Sequence, residues 1–155
     1  MLMYASVNRV PAARVAGVVD TIVTTARARN ASHGITGALL FTGLHFVQIV
    51  EGPAAAIAAL WANMQADPRH DGLVLANHGP LAERRFHGWS LAYAGPAHYV
   101  HKRVQLLFNA ADPVKRDRAA RWLAELMYLF SIDQHSADRI ARATALNGND
   151  DDQDM

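Results

Sequence analysis

The stretch ITGALLFTGLHFVQIVEGP, Ile35–Pro53, decides the fold. "ITGALLF" (Ile35–Phe41) and "HFVQIV" (His45–Val50) are apolar runs of strand length, parted by the short glycine-containing link "TGL", which reads as a hairpin turn. Pro53 then opens a helix, where its missing N–H is harmless. Within the second run, a strand's period of two puts Leu44, Phe46, Gln48 and Val50 on one face. Three of these are apolar and the fourth is a primary amide. A buried amide without partners costs roughly 1–3 kcal/mol. Either something satisfies Gln48, or that face is not buried.

Working outward, "LMYAS" reads as a short strand with Leu2, Tyr4 and Ser6 on one face. From Pro11 to about Arg29, Val15, Val18, Val19, Ile22 and Ala26 fall at helical spacing, and Gly34 in "NASHG" stops that helix. "PAAAIAALWANMQAD" is a second helix with Ile57, Leu60, Trp61 and Met64 as its apolar stripe. "LVLANH" (Leu73–His78) and "WSLAYA" (Trp89–Ala94) are strands joined by the turn-rich "GPLAERRFHG". The order β-α-β-β-α-β-β predicts an α+β, ferredoxin-like sheet with an added strand and both helices on one face. Beyond "GPAH", residues Pro113–Phe130 read as a helix and "SADRIARATAL" as a shorter one with Ser136 as its N-cap; this pair is expected on the other face or on a partner subunit. The expected division is a domain over 1–95, a helical extension over 96–146 and a disordered acidic tail over 147–155.

Composition narrows the function. With 155 residues, one domain has room for a core, and 51% hydrophobic content argues against disorder. Lys+Arg 15 against Asp+Glu 14 gives a net charge of +1, which removes the electrostatic case for nucleic acid. The absence of cysteine excludes disulfides, thiol nucleophiles and zinc–thiolate sites. No signal peptide or membrane-length apolar run is read, so a cytoplasmic protein is expected. The eight histidines give no metal site: His98 and His101 in "HYVH" lack a carboxylate at ligand spacing and read as surface residues.

Tyr4, Gln48 and Trp89 read as polar or half-polar groups on the helix-covered face, with Asn30 where the first helix ends. Singly, each has a structural reading: a rim tyrosine, a core tryptophan, a capping asparagine. Together they predict a pocket with apolar walls and convergent polar groups, suited to a planar, amphipathic ligand.

The quoted motifs carry a resemblance. "YAS" at Tyr4–Ser6, "NASHGITGALL" at Asn30–Leu40, "FVQIVEGP" at Phe46–Pro53, "DPRH" at Asp67–His70 and "ERRFHGWSL" at Glu83–Leu91 stand in the order of a BLUF domain, which the chain resembles from Met1 to about Gly95. The resemblance implies FAD with its ring between the two helices, and Gln48 bonded to both Tyr4 and the flavin. It implies that Asn30 holds a polar edge, Ile22 touches the ring face, Arg69 and His70 stand toward the phosphates, and Trp89 lies beside the glutamine. It further implies no enzymatic activity but a light response. Tyr4 gives up an electron and a proton through Gln48, and the amide ends rotated or tautomerised. Leu91 departs from the family, in which methionine is common at that position. Output is expected through contacts with a signalling protein, in a homo-oligomer free of nucleic acid and membrane. The rival readings are a flavin-free interaction module of the same fold and an acylphosphatase-like hydrolase.

Overall fold

In the computed structural model the described residues are 1–109 and 111–147, with side chains described to residue 134. The hairpin forms as β2 (Thr36–Phe41) and β3 (His45–Glu51), antiparallel, with Phe41 opposite Phe46 and Leu39 opposite Gln48. β1 (Leu2–Asn8) lies antiparallel on the other side of β3, and β4 (His70–His78) antiparallel on β1. β5 (Ala92–Ala94) runs parallel to β2, giving the order β4-β1-β3-β2-β5. With α1 (Val15–Ser32) between β1 and β2, and α2 (Ala54–Gln65) between β3 and β4, this is the predicted ferredoxin-like order with its added strand.

Two glycines are required by geometry. Gly34 sits at φ 64° just beyond α1, the left-handed conformation that ends helices at low steric cost. At Gly37 a Cβ would stand 2.1 Å from the carbonyl oxygen of Ile49, so only glycine lets β2 approach β3 there.

Strand alternation divides the core into two layers. Tyr4, Leu39, Phe46 and Val50 face α1 and α2, where Val19, Val23, Ile57 and Leu60 pack on them. Met3, Ala5, Leu40, Val47 and Ile49 face the other way, onto Val104 of α3 (His101–Gln105) and Leu123 and Met127 of α4 (Pro113–Asn147). The C-terminal segment therefore covers the second face, as expected.

Other expectations change in detail. The two C-terminal helices are one: α4 runs unbroken from Pro113 to Asn147, and Ser136 lies inside it rather than at a cap. Nothing in "SIDQHS" stops a helix, since the stretch holds neither glycine nor proline. The chain from His98 to Phe108, unassigned by periodicity, forms short helical turns. α1 starts at Val15 after a 3-10 turn, because Pro11 is extended. β4 begins at His70, three positions before Leu73. The last strand starts at Ala92 instead of Trp89, with a bend at Ser90. Asn147 of the expected acidic tail closes α4, and residues 148–155 lie outside the described residues.

α4 spans the second face and is tied to it by side chains. Arg116 donates to the carbonyl of Leu75 on β4 at 2.5 Å. Glu125 takes both terminal nitrogens of Arg85, at 2.8 and 2.9 Å, and that guanidinium lies over the Tyr128 ring. The Gln134 amide meets the backbone of Tyr93 on β5.

The hairpin end of this face carries a histidine pair. His45 is buried against the rings of His101 and Phe108, at centroid distances of 5.0 and 5.1 Å. Burial, and then the neighbouring His101 charge, lower the His45 pKa. As pH falls below about 6.5, the unfolded chain protonates this ring before the folded one does, so stability declines from there downward. Replacing His45 with Phe keeps the packing and removes that proton linkage. We expect the denaturant midpoint of the wild type to drop more between pH 7.5 and 5.5 than that of His45→Phe. Equal drops would assign the acid sensitivity to other groups.

Candidate functional site

Between α1 and α2, over the middle of the sheet, opens a cleft. Its floor is Tyr4, Leu39, Phe46 and Gln48 from three adjacent strands. Ile22, Thr25, Ala26 and Arg29 form the α1 wall, one helical stripe, with Asn30 beside them; Leu60, Asn63 and Met64 form the α2 wall. Leu91, packed with Val19 and Val23 of α1, completes the lining.

The amide question has a direct answer. Tyr4 and Gln48 are register partners on β1 and β3, and the tyrosine hydroxyl donates to Gln48 Oε1 at 2.9 Å. Burial, reinforced by the Asp67 charge and opposed by Arg69, pushes the Tyr4 pKa well up, so the phenol keeps its proton and acts as donor. With its carbonyl end on Tyr4, Gln48 has its NH2 group as a second hydrogen-bonding end on the cleft floor.

The mouth is polar. Arg69 is held by Asp67 through its Nε at 2.9 Å and its terminal nitrogen at 2.5 Å. These bonds lower the Asp67 pKa and raise that of Arg69, so both stay ionised. His70 has both ring nitrogens engaged, Nδ1 with Ser6 Oγ at 2.7 Å and Nε2 with the Met64 carbonyl at 2.9 Å. It thus offers the cleft a ring edge rather than a bond. Asn30 is buried, and its Nδ2 donates to the Ser90 carbonyl at 2.7 Å. One turn earlier on α1, Arg27 Nε donates to the Leu91 carbonyl at 2.9 Å.

Six of the seven site residues read from the sequence, Tyr4, Ile22, Asn30, Gln48, Arg69 and His70, line this one cleft. Trp89 does not. It packs with the layer beneath α4, on the far side of the sheet from Gln48. A strand from Trp89 would have put residues 89 and 91 on one face, but β5 starts at Ala92 and the bend at Ser90 sends Leu91 to the cleft and Trp89 away from it. The sequence reading passed over Thr25, Arg29 and Asn63. Thr25 and Arg29 were findable, standing three and seven residues after Ile22 on the same helical stripe. Arg27 gave no signal, because its partner is a backbone carbonyl 64 positions away.

The Asn30 bond to Ser90 gives a measurable prediction. Asn30→Ala removes a buried donor from the Ser90 carbonyl, at a cost of about 0.5–1.5 kcal/mol. Urea denaturation of the ligand-free protein should show that loss, and an unchanged midpoint would remove the structural role given to the bond.

Residues 1–92 match the model of the BLUF family, described as sensors of blue-light using FAD. Over 77 residues the chain is 39% identical to the photoactivated adenylate cyclase subunit beta of Euglena longa, covering 49% of this chain and 9% of that protein. Over 70 residues it is 37% identical to the blue light- and temperature-regulated antirepressor BluF of Escherichia coli (strain K12), covering 44% of this chain and 17% of that one. The chain thus spans less than a fifth of the length of these curated relatives. Among solved structures it superposes on the dark state of BlrB, a BLUF protein, with a TM-score of 0.62 and 32% identity, over 77% of this chain and 94% of that one. With the family match reaching from Met1 to the first residue of β5, and the cleft held wholly within it, the chain belongs to the BLUF family of flavin-using blue-light photoreceptors.

Proposed function

We propose that this protein binds FAD in the cleft between α1 and α2 and responds to blue light by exchanging hydrogen bonds around Gln48. The observation that carries the reading is the buried 2.9 Å bond between Tyr4 and Gln48 on the cleft floor. The donor set fits a flavin. Apolar side chains of Ile22, Leu39, Leu60 and Met64 suit the faces of a flat ring, the Gln48 amide and Asn30 suit its polar edge, and Arg29 and Arg69 at the mouth suit phosphate. When bound, the flavin supplies light absorption and a transient acceptor for an electron and a proton.

The chain's own part is to hold and move one proton and one amide. Tyr4 keeps its hydroxyl proton because burial disfavours the phenolate, and it aims that proton at Gln48 Oε1. Turning the Gln48 amide end for end puts Nε2–H toward Tyr4 Oη and the carbonyl toward the cleft. The two ends differ little in size, so the swap needs little repacking. Ile22 and Asn30 orient the ring. His70, with both nitrogens occupied, contributes shape, while Arg69 remains a charge at the outer side. Leu91 stands in the cleft lining, where it fills a methionine's volume without a sulfur acceptor.

We read the output as contact with a downstream signalling protein by a cytoplasmic homo-oligomer that acts as a sensor rather than an enzyme, and binds neither nucleic acid nor membrane. In support, the charges nearly balance, and among the described residues no helix is long and apolar enough to cross a membrane. An antirepressor among the relatives also fits output by contact.

Absorption spectra before and after blue light test the reading. A bound flavin whose spectrum shifts slightly to the red and returns in darkness is the expected result. Gln48→Leu should retain flavin and lose the shift, since it keeps the volume and deletes the reversible amide. A normal photocycle in that variant would sink the role of Gln48. Tyr4→Phe should also bind flavin and fail to cycle, because its ring packs without a transferable proton; a full red shift there would move the donor elsewhere.

A further inference from the structure

One row of residues crosses the whole sheet through the Tyr4–Gln48 pair: Leu75, Tyr4, Gln48, Leu39 and Tyr93, one from each strand. Both ends of this row are tied to α4. At the β4 end Arg116 donates to the Leu75 carbonyl at 2.5 Å. At the β5 end the Tyr93 N–H donates to Gln134 Oε1 at 3.3 Å, and Gln134 Nε2 donates back to the Tyr93 carbonyl. β5 is an edge strand, paired among the described residues only with β2. An edge strand leaves a donor and an acceptor pointing outward. The Gln134 amide offers the same acceptor and donor as the peptide of a neighbouring strand, so it closes the edge as one residue of a sixth strand would. Two residues before Tyr93, Leu91 stands in the cleft wall; opposite Tyr93, Leu39 lies beside Gln48.

We propose that Gln134 is a positioning residue of the light response. Its amide clamps β5 in the dark register, opens when the bonds around Gln48 change, and by closing again drives the return in darkness. The proposal rests on the photosensing reading above. Arg116 keeps the other end of the row fixed, so a shift within the row is expressed at Tyr93.

The experiment uses the full chain and two variants, Gln134→Leu and Gln134→Glu, with amide exchange at Tyr93 read by NMR and dark recovery read by absorption. In the wild type, exchange at Tyr93 should speed up under steady blue light. In Gln134→Leu it should be fast already in darkness, with or without flavin, and light should add nothing. The red shift itself should keep its size. Recovery should slow about threefold to tenfold, the weight of one ordinary hydrogen bond. Gln134→Glu keeps the acceptor and loses the donor, so its recovery should fall between the two. It also carries the test if the leucine variant does not fold. Equal Tyr93 exchange in light and dark, in a wild type that red-shifts, overturns the proposal, as does variant recovery within about twofold of wild type. A wild type without any red shift overturns the photosensing reading and this role with it; the flavin-free exchange at Tyr93 still reports whether the clamp itself exists.

Discussion

A primary amide in the middle of a buried sheet face has to be bonded, and this constraint organises the molecule. Gln48 is 4% exposed and stands directly across from Tyr4. A slip of one residue between β1 and β3 would carry Gln48 into the apolar layer under α4, away from any described partner for its amide. The Tyr4 hydroxyl thus fixes the register as well as satisfying the carbonyl. Gly37 serves the same end on the other side, since only a residue without Cβ lets β2 lie close to Ile49 and bring Leu39 beside the glutamine. The cleft follows from these placements: Gln48 lies on its floor, between the walls that α1 and α2 supply.

The segment Arg85–Leu91 joins the two layers. The Glu51 carboxylate, 1% exposed, accepts the backbone N–H groups of Arg85 and Phe86 at 2.9 and 3.1 Å. Hydrogen bonds to a charged acceptor are about twice as strong as neutral ones. The carbonyls of Trp89, Ser90 and Leu91 are then taken in turn by Gly37 N–H, Asn30 and Arg27. By contrast, the Arg85–Glu125 pair is largely exposed, and pairs of that kind contribute about 0–1 kcal/mol. Its packing over Tyr128 gives Arg85 a second contact with α4. The cleft wall and α4 are therefore neighbours along the chain although the sheet lies between them.

Much of this was legible from residue patterns. The hairpin, both cleft helices and the sheet order follow from periodicity and turn residues, and the convergence of Tyr4, Asn30 and Gln48 follows from strand alternation and a helix end. Trp89 was misplaced because alternation assumes an unbroken strand once the turn at Gly88 is passed, and neither Trp89 nor Ser90 is a glycine or proline that would extend that turn. The unity of α4 was hidden by a polar stretch whose helical state costs little but which has no apolar stripe to declare it. Gln134 could not be found at all: its partner is an edge backbone 41 positions earlier, and a half-buried glutamine on a helix has no distinguishing pattern.

The length of α4 has a mechanical consequence. From Arg116 to Gln134 the helix rises about 27 Å, more than the roughly 19 Å width of a five-stranded row. It then continues to Asn147, about 20 Å further. With the Gln134 contact open, the rod held at Arg116 is a lever with its fulcrum there, about 46 Å from Asn147. A tilt of about 4° there carries the far end through about 3 Å, comparable to the rise of two helical residues. The same tilt shifts Leu123, about 10 Å from Arg116, by only about 0.7 Å, while at the tip it is large enough for another molecule to register.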